Sequence, residues 1–183
     1  MTARGRYAGA TDAKLVAWVA EGDEGAFREL LDRHQPALYR FARRFLQDAV
    51  EAEDVAQEVF LRLYRSAHRY RPRAALRAYL FRIARNLCVD HLRKQRPGSM
   101  ESAPEAVTRE TPLTRLESAQ AMNRLLQAVA DLPENQRAAL LMRHDQGLRY
   151  REIAEAMEIS VAAVESLLVR ARRTLRQRVR IER

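Results

Sequence analysis

One interruption governs how this chain can fold. Apolar residues recur at helical spacing along nearly all of it, without a convincing alternating strand, and the recurrence fails between Pro97 and Leu116. That stretch, PGSMESAPEAVTRETPLTRL, holds three prolines, a glycine and several small polar residues. Proline lacks a backbone donor and its ring clashes with the preceding turn, so a regular helix does not run through the segment. The expected fold is all-α: two small helical domains, residues 1–97 and 117–183, joined by a flexible linker over 98–116. Helices are expected near 12–20, 24–46, 50–66, 74–96, 115–130, 134–145, 149–157 and 161–180. Pro36 falls inside the second and is expected to kink or break it.

The 183 residues are 47% apolar, enough for a real core, yet hold no run of about 18 apolar residues that could span a membrane. The N-terminal MTARGRYAGATDAK lacks the apolar region of a secretory signal. The one cysteine, Cys88, excludes an internal disulfide framework and fits a reducing cytoplasm. A net charge of +9 calls for a polyanionic partner, nucleic acid or acidic membrane alike. The linker runs against that balance, with Glu101, Glu105 and Glu110 facing only Arg109 and Arg115.

The stretch from Tyr150 to Arg173 reads as a helix-turn-helix. Tyr150–Met157 forms the first helix, Glu158–Ile159 the turn, and Ser160 is placed to cap the second helix by accepting from a free backbone N–H. Val164, Leu168, Ala171 and Leu175 follow at i, i+4, i+7 and i+11, one buried stripe. The opposite side carries Glu165, Ser166, Val169, Arg170 and Arg173. In such motifs the start of the second helix enters the major groove and later arginines hold phosphates. Glu158 stands where glycine is common; a non-glycine residue in the left-handed conformation costs about 1 kcal/mol.

The N-terminal half has two unlike faces. Projected at 100° per residue, Ala52–Tyr64 places Ala52, Val55, Ala56, Val59, Phe60 and Leu63 on one side and Asp54, Gln57, Glu58 and Leu61 on the other. That acidic stripe repels DNA; it suits a basic protein partner with Leu61 as an apolar contact, or it is simply solvated. In the next helix, Leu76, Leu80, Ile83 and Leu87 form a core stripe and Phe81, Cys88 and Leu92 a second, so the helix should be sandwiched. Tyr79, Arg82, Asn86, Val89 and Arg93 share a third face, preceded by the basic loop AHRYRPRA. Arg69 to Arg96 carries nine arginines and lysines against the single acid Asp90. Cations neutralise phosphates, Tyr70 and Tyr79 can stack on unpaired bases for about 1–3 kcal/mol each, and Asn86 can read a base edge. The combination suits single-stranded DNA; the alternative is a basic helix with its tyrosines tucked into the core.

An enzyme is disfavoured. The four histidines, at 34, 68, 91 and 144, are scattered, and neither a glycine-rich phosphate loop nor a nucleophile–base pair stands out. Cys88 and His91 lie at i and i+3, but two ligands on one helix are too few for a zinc site, and no metal or cofactor is expected. A conventional helix-turn-helix regulator explains the C-terminal half equally well, but not an acidic face followed by a basic, aromatic helix.

FRELLDRHQPALYRFARRFL, AEDVAQEVFLRLY, YLFRIARNLCVDHLRKQR, LPENQRAALLMRHDQGLRYREIAEAM and ISVAAVESLLVRARRTLR, in this order around the linker, resemble the extracytoplasmic-function (ECF) sigma factors of the primary-sigma superfamily. The resemblance covers nearly the whole chain. It implies a promoter-specificity factor for RNA polymerase, cytoplasmic, whose N-terminal domain docks on the clamp helices of the polymerase's largest subunit through Asp54, Gln57, Glu58 and Leu61. It further implies that His68, Arg69, Tyr70, Arg71, Tyr79, Arg82, Asn86 and Arg93 hold the melted minus-ten element, with a flipped base captured near Asn86 and the loop His68–Arg73. The helix-turn-helix, through Ser160, Glu165, Ser166, Val169, Arg170 and Arg173, would bind the minus-thirty-five duplex while its domain rests on the flap of the second-largest subunit. The linker would thread toward the RNA exit path, and an anti-sigma protein would restrain the whole. Two departures stand out. Many members carry Trp where Tyr79 stands, and many carry Lys-Ser-Arg where this chain has Glu165-Ser166-Leu167, so base contacts at 165 and 167 do not carry over.

Overall fold

The structure is a computed structural model, and it describes residues 6–7, 9–71, 75–95, 122 and 124–181. The linker, Arg73 and Arg96 lie outside the described residues. Helix α1 spans Asp12–Ala20, α2 Glu24–Leu46, α3 Ala49–Ser66 and, after a 3-10 turn at Ala67–Arg69, α4 Leu76–Gln95. A helix over 124–130 (α5) leads to α6 (Glu134–His144), α7 (Tyr150–Met157) and α8 (Val161–Ile181). Among the described residues there is no strand.

The starts of these helices are written into short polar side chains. Asp23 accepts from the backbone N–H of Ala26 at 3.0 Å, Asp48 from Val50 at 2.8 Å and Glu51 at 3.1 Å, and Ser160 from Ala163 at 3.1 Å. Each satisfies donors that the first turn leaves without a partner and favours the helix by about 1 kcal/mol. Pro36 does not break α2, which is continuous through it. The missing N–H costs one hydrogen bond, whereas Leu30, Leu38, Phe41 and Phe45, all fully buried on this helix, hold both halves to the same core.

Phe41 sits at the centre of the N-terminal half, its ring 5.7 Å from Phe45 and edge-on to Phe81 at 5.4 Å. Around it pack Val59 and Leu63 of α3 and Leu80 of α4, all fully buried. In the C-terminal half, Met142, Leu148, Ile153 and Val164 are fully buried and bind α6, α7 and α8 together. The two halves touch. Arg137 of α6 donates to the carbonyl oxygen of Phe45 at 2.7 Å and lies over the Phe45 ring at 5.0 Å.

Helix α4 is flanked by α2, α3, α6 and α7, more neighbours than its two apolar stripes foretell. One assignment on it needs correcting. Val89, expected on the open face beside Asn86, is 6% exposed, because the C-terminal half closes over a helix that the sequence leaves open on one side.

Candidate nucleic-acid interface

The exposed side of α3 is acidic and apolar in alternation. Asp54, Gln57 and Leu61 are exposed, Leu61 by 47%, and Glu58 is half-buried, its carboxylate accepting from Arg62 Nε at 2.8 Å. Ala52, Val55, Ala56, Val59, Phe60 and Leu63 are buried on the far side, as the 100° projection requires. The stripe is longer than the four residues picked out from the sequence. Val50 and Tyr64, 70% and 55% exposed, continue it at helical spacing, and Tyr64 packs edge-on against Phe27 at 5.4 Å. Tyr64 already lies within the projected stretch, and the same projection carried two residues back from Ala52 finds Val50.

The 3-10 turn places His68 and Arg69 in solvent, and Tyr70 turns inward against Tyr79, edge to face with centroids 5.4 Å apart. Burial raises the pKa of the Tyr70 phenol, with the Asp12 carboxylate and Tyr79 adding to the effect. The Tyr79 hydroxyl lies 3.1 Å from Ser66 Oγ, and the Arg82 guanidinium covers the Tyr79 ring at 5.3 Å. These groups line a cleft of about 420 Å³ together with Arg69 and Arg71. The two tyrosines are thus neither free platforms nor core residues; they are held at the wall of a cationic cleft.

A second cleft, about 580 Å³, joins the first at Tyr79 and Arg82 and brings Asn86 together with Arg62, Arg65 and Arg69. Arg62 and Arg65 were not picked out from the sequence, because they stand on α3, which the acidic stripe assigns to another role. They follow Glu58 along the same helix, Arg62 paired with its carboxylate, and reach the cleft at the end of α3. Asn86 is exposed, its Oδ1 accepting from Arg85 Nη1 at 3.0 Å. Arg93 is not part of this group. It lies in a separate groove between α3 and α4 with Asp54, Glu58 and Asp90.

In the helix-turn-helix, Glu158 adopts φ 57°, ψ 42°, the left-handed conformation the turn demands, and closes α7 as its C-cap. Ile159 N–H donates to the Ala154 carbonyl at 3.0 Å, which fixes the angle between the two helices. Val164, Leu168 and Ala171 are buried, Leu175 half-buried. Ser160, Glu165, Ser166, Val169, Arg170 and Arg173 are all exposed. Leu167 packs partly against the core, so it is not on the reading face.

Cys88 is fully buried and burial pushes its thiol up to about 12, which makes it a core residue and not a nucleophile. Among the described residues no group of three or more His, Cys, Asp or Glu side chains gathers as a metal site would, and no helix is long and apolar enough to cross a membrane.

Comparison with known proteins decides between a sigma factor and an ordinary helix-turn-helix regulator. Residues 30–97 match the Sigma-70 region 2 family and residues 122–175 match Sigma-70, region 4. Over 176 residues the chain is 36% identical to the RNA polymerase sigma-H factor of Pseudomonas aeruginosa, covering 90% of this chain and 91% of that one. It belongs to the extracytoplasmic-function sigma factors. The ECF RNA polymerase sigma factor SigW of Bacillus subtilis is 29% identical over 179 residues, 91% of this chain and 96% of SigW. Among solved structures, that of CnrH in complex with the cytosolic domain of CnrY superposes with a TM-score of 0.73 at 28% identity, covering 94% of this chain and 99% of CnrH. As a sigma factor the protein binds core RNA polymerase and promoter DNA and directs promoter-specific transcription initiation.

Proposed function

We propose that the two faces of the N-terminal half divide the work of a sigma factor, and that the helix-turn-helix supplies the third contact. The acidic stripe Asp54, Gln57, Glu58 and Leu61 docks on the clamp helices of the largest polymerase subunit. The cationic clefts hold the melted minus-ten strand: His68, Arg69, Arg71 and Arg82 on phosphates, Tyr70 and Tyr79 on bases, Asn86 on the edge of a flipped base. Arg93, from its neighbouring groove, holds phosphate further along. Ser160, Glu165, Ser166, Val169, Arg170 and Arg173 face the minus-thirty-five duplex while residues 117–183 rest on the polymerase flap. Residues 98–116 connect these to the N-terminal domain, 1–97. The protein does this in the cytoplasm, without catalysis of its own, and is restrained by an anti-sigma protein.

The observation that carries the reading is that acidic and apolar groups stand exposed on α3 beside the cationic clefts of α4. Helix α3 exposes Asp54, Gln57 and Leu61 with Glu58 at their edge, and further along the same helix Arg62, paired with Glu58, and Arg65 line the Asn86 cleft. A protein that met only DNA would have no use for the acidic side, which repels phosphate. The test is Asp54→Arg with Glu58→Arg, assayed for association with core polymerase. Affinity should fall at least tenfold, since like charges facing a basic partner cost on the order of 1 kcal/mol or more each; unchanged affinity would remove the docking assignment.

A further inference from the structure

Tyr79 brings to its cleft a group that an indole at the same position would not: a phenolic hydroxyl, which needs a partner wherever it is shielded from water. Its partner is Ser66, the last residue of α3, whose Oγ lies 3.1 Å away. Which atom donates follows from the rest of the network. Ser66 Oγ carries one proton and directs it at the backbone, with the carbonyl oxygen of Arg62 at 2.7 Å and that of Leu63 at 3.3 Å. The Tyr79 hydroxyl is therefore the donor and Ser66 Oγ the acceptor. The serine oxygen is itself fixed, because carbonyls of its own helix hold its rotamer. A chain of hydrogen bonds thus runs from the α3 backbone through Ser66 to the Tyr79 ring.

Both residues stand where the two clefts meet. Ser66, Arg69, Tyr79 and Arg82 line the cleft that holds Tyr70 and also the one that holds Asn86. The other neighbours of the Tyr79 ring hold it less strictly. The Arg82 guanidinium covers it at 5.3 Å and Tyr70 meets it edge to face at 5.4 Å. Such contacts tolerate sliding of one group across the other, whereas a hydrogen bond fixes a line between two atoms. Helix α3 is also the helix proposed to meet polymerase, so the bond registers the ring against the docked element.

We propose that Ser66 is a positioning residue for strand capture. By accepting from Tyr79 it holds that ring as the partition between the two clefts, so that a base in the Asn86 cleft and its neighbour in the Tyr70 cleft are kept apart. The inference rests on the strand-holding role of the clefts given above. Without the bond the phenol turns toward cleft water, the ring leaves the partition, and Arg82, which rests on it, follows. Ser66 acts through Tyr79 and need not touch the strand.

The test uses holoenzyme assembled from core polymerase and the full chain. The probe is a fluorescent single-stranded oligonucleotide that copies the non-template strand of a promoter the holoenzyme transcribes. Ser66→Ala and Tyr79→Phe should each weaken affinity for it about threefold to tenfold, the worth of one hydrogen bond, and leave core association and closed-complex binding unchanged. The double variant should be no weaker than the weaker single variant, because both substitutions remove the same bond. Ser66→Thr keeps an oxygen able to bond the carbonyl of the preceding turn and should restore most of the affinity. Unchanged strand affinity in Ser66→Ala, losses that multiply in the double variant, no recovery in Ser66→Thr, or an equal loss of core association would each overturn the proposal. Arg82→Ala separates it from the reading beneath it. If that variant weakens strand binding and Ser66→Ala does not, the positioning role alone fails; if neither does, the role of the clefts fails and the positioning role with it.

Discussion

Asn86 offers an amide in a cleft lined by four arginines, Arg62, Arg65, Arg69 and Arg82, and its Oδ1 already accepts from Arg85. A base edge with its own donor can replace that arginine, while the Asn86 NH2 donates in turn. Asn86→Ala should therefore slow promoter opening, read by permanganate reactivity of the melted strand, far more than it weakens the closed complex; equal loss at both steps would contradict the role. Ser160 carries a different kind of load. Its hydroxyl caps α8, so Ser160→Ala should lower the stability of the C-terminal half by about 1 kcal/mol in urea unfolding. A change within error would show that the cap contributes nothing to the reading helix.

At the scale of elements, α1 is tied to α2 by one carboxylate. Asp12 in the first turn of α1 lies 2.9 Å from His34 Nε2 and accepts from Arg33 Nη1 at 3.2 Å. The His34 hydrogen bond, aided by the Arg33 charge, holds the Asp12 carboxyl below its ordinary value, although partial burial pushes the other way. A depressed carboxylate pKa gives stability that is present above the unfolded value, about pH 4, and is lost as pH falls through the folded value. Asp12→Asn should accordingly flatten the loss of thermal stability below about pH 4, with little change in that slope at neutral pH. An unaltered acid limb would mean that another carboxylate governs it. Helix α1 also packs beside the 3-10 turn that precedes Tyr70.

At the scale of the whole molecule, separate surfaces make separable defects. Arg170 is exposed on α8, a different helix from the α3 stripe proposed to meet polymerase. Arg170→Ala should weaken binding to minus-thirty-five duplex several-fold, the loss of one phosphate or base contact of about 1–3 kcal/mol, and leave core association unchanged. Reduced core binding in that variant would mean that the faces have been exchanged. Arg170 and Arg85 line one cleft across the contact between the halves.

The sequence by itself determined what depends on neighbours within a turn or two. The bounds of α1 and α2, the caps at Asp23, Asp48 and Ser160, the buried stripe of α8 and the acidic stripe of α3 all follow from spacing and side-chain chemistry over a few residues. That the six residues proposed to meet duplex DNA are all exposed was legible for the same reason, since a helix fixes which side chains share a face. Tertiary structure alone decided where helices cross. It brought Arg62 and Arg65 to Asn86, moved Arg93 into another groove and buried Val89. It also set Glu158 against Arg82 and Gln47 against Leu126, pairs separated by more than seventy residues. Periodicity carries no information over such separations, because those meetings depend on the angles at which packed helices cross and on how one half docks upon the other.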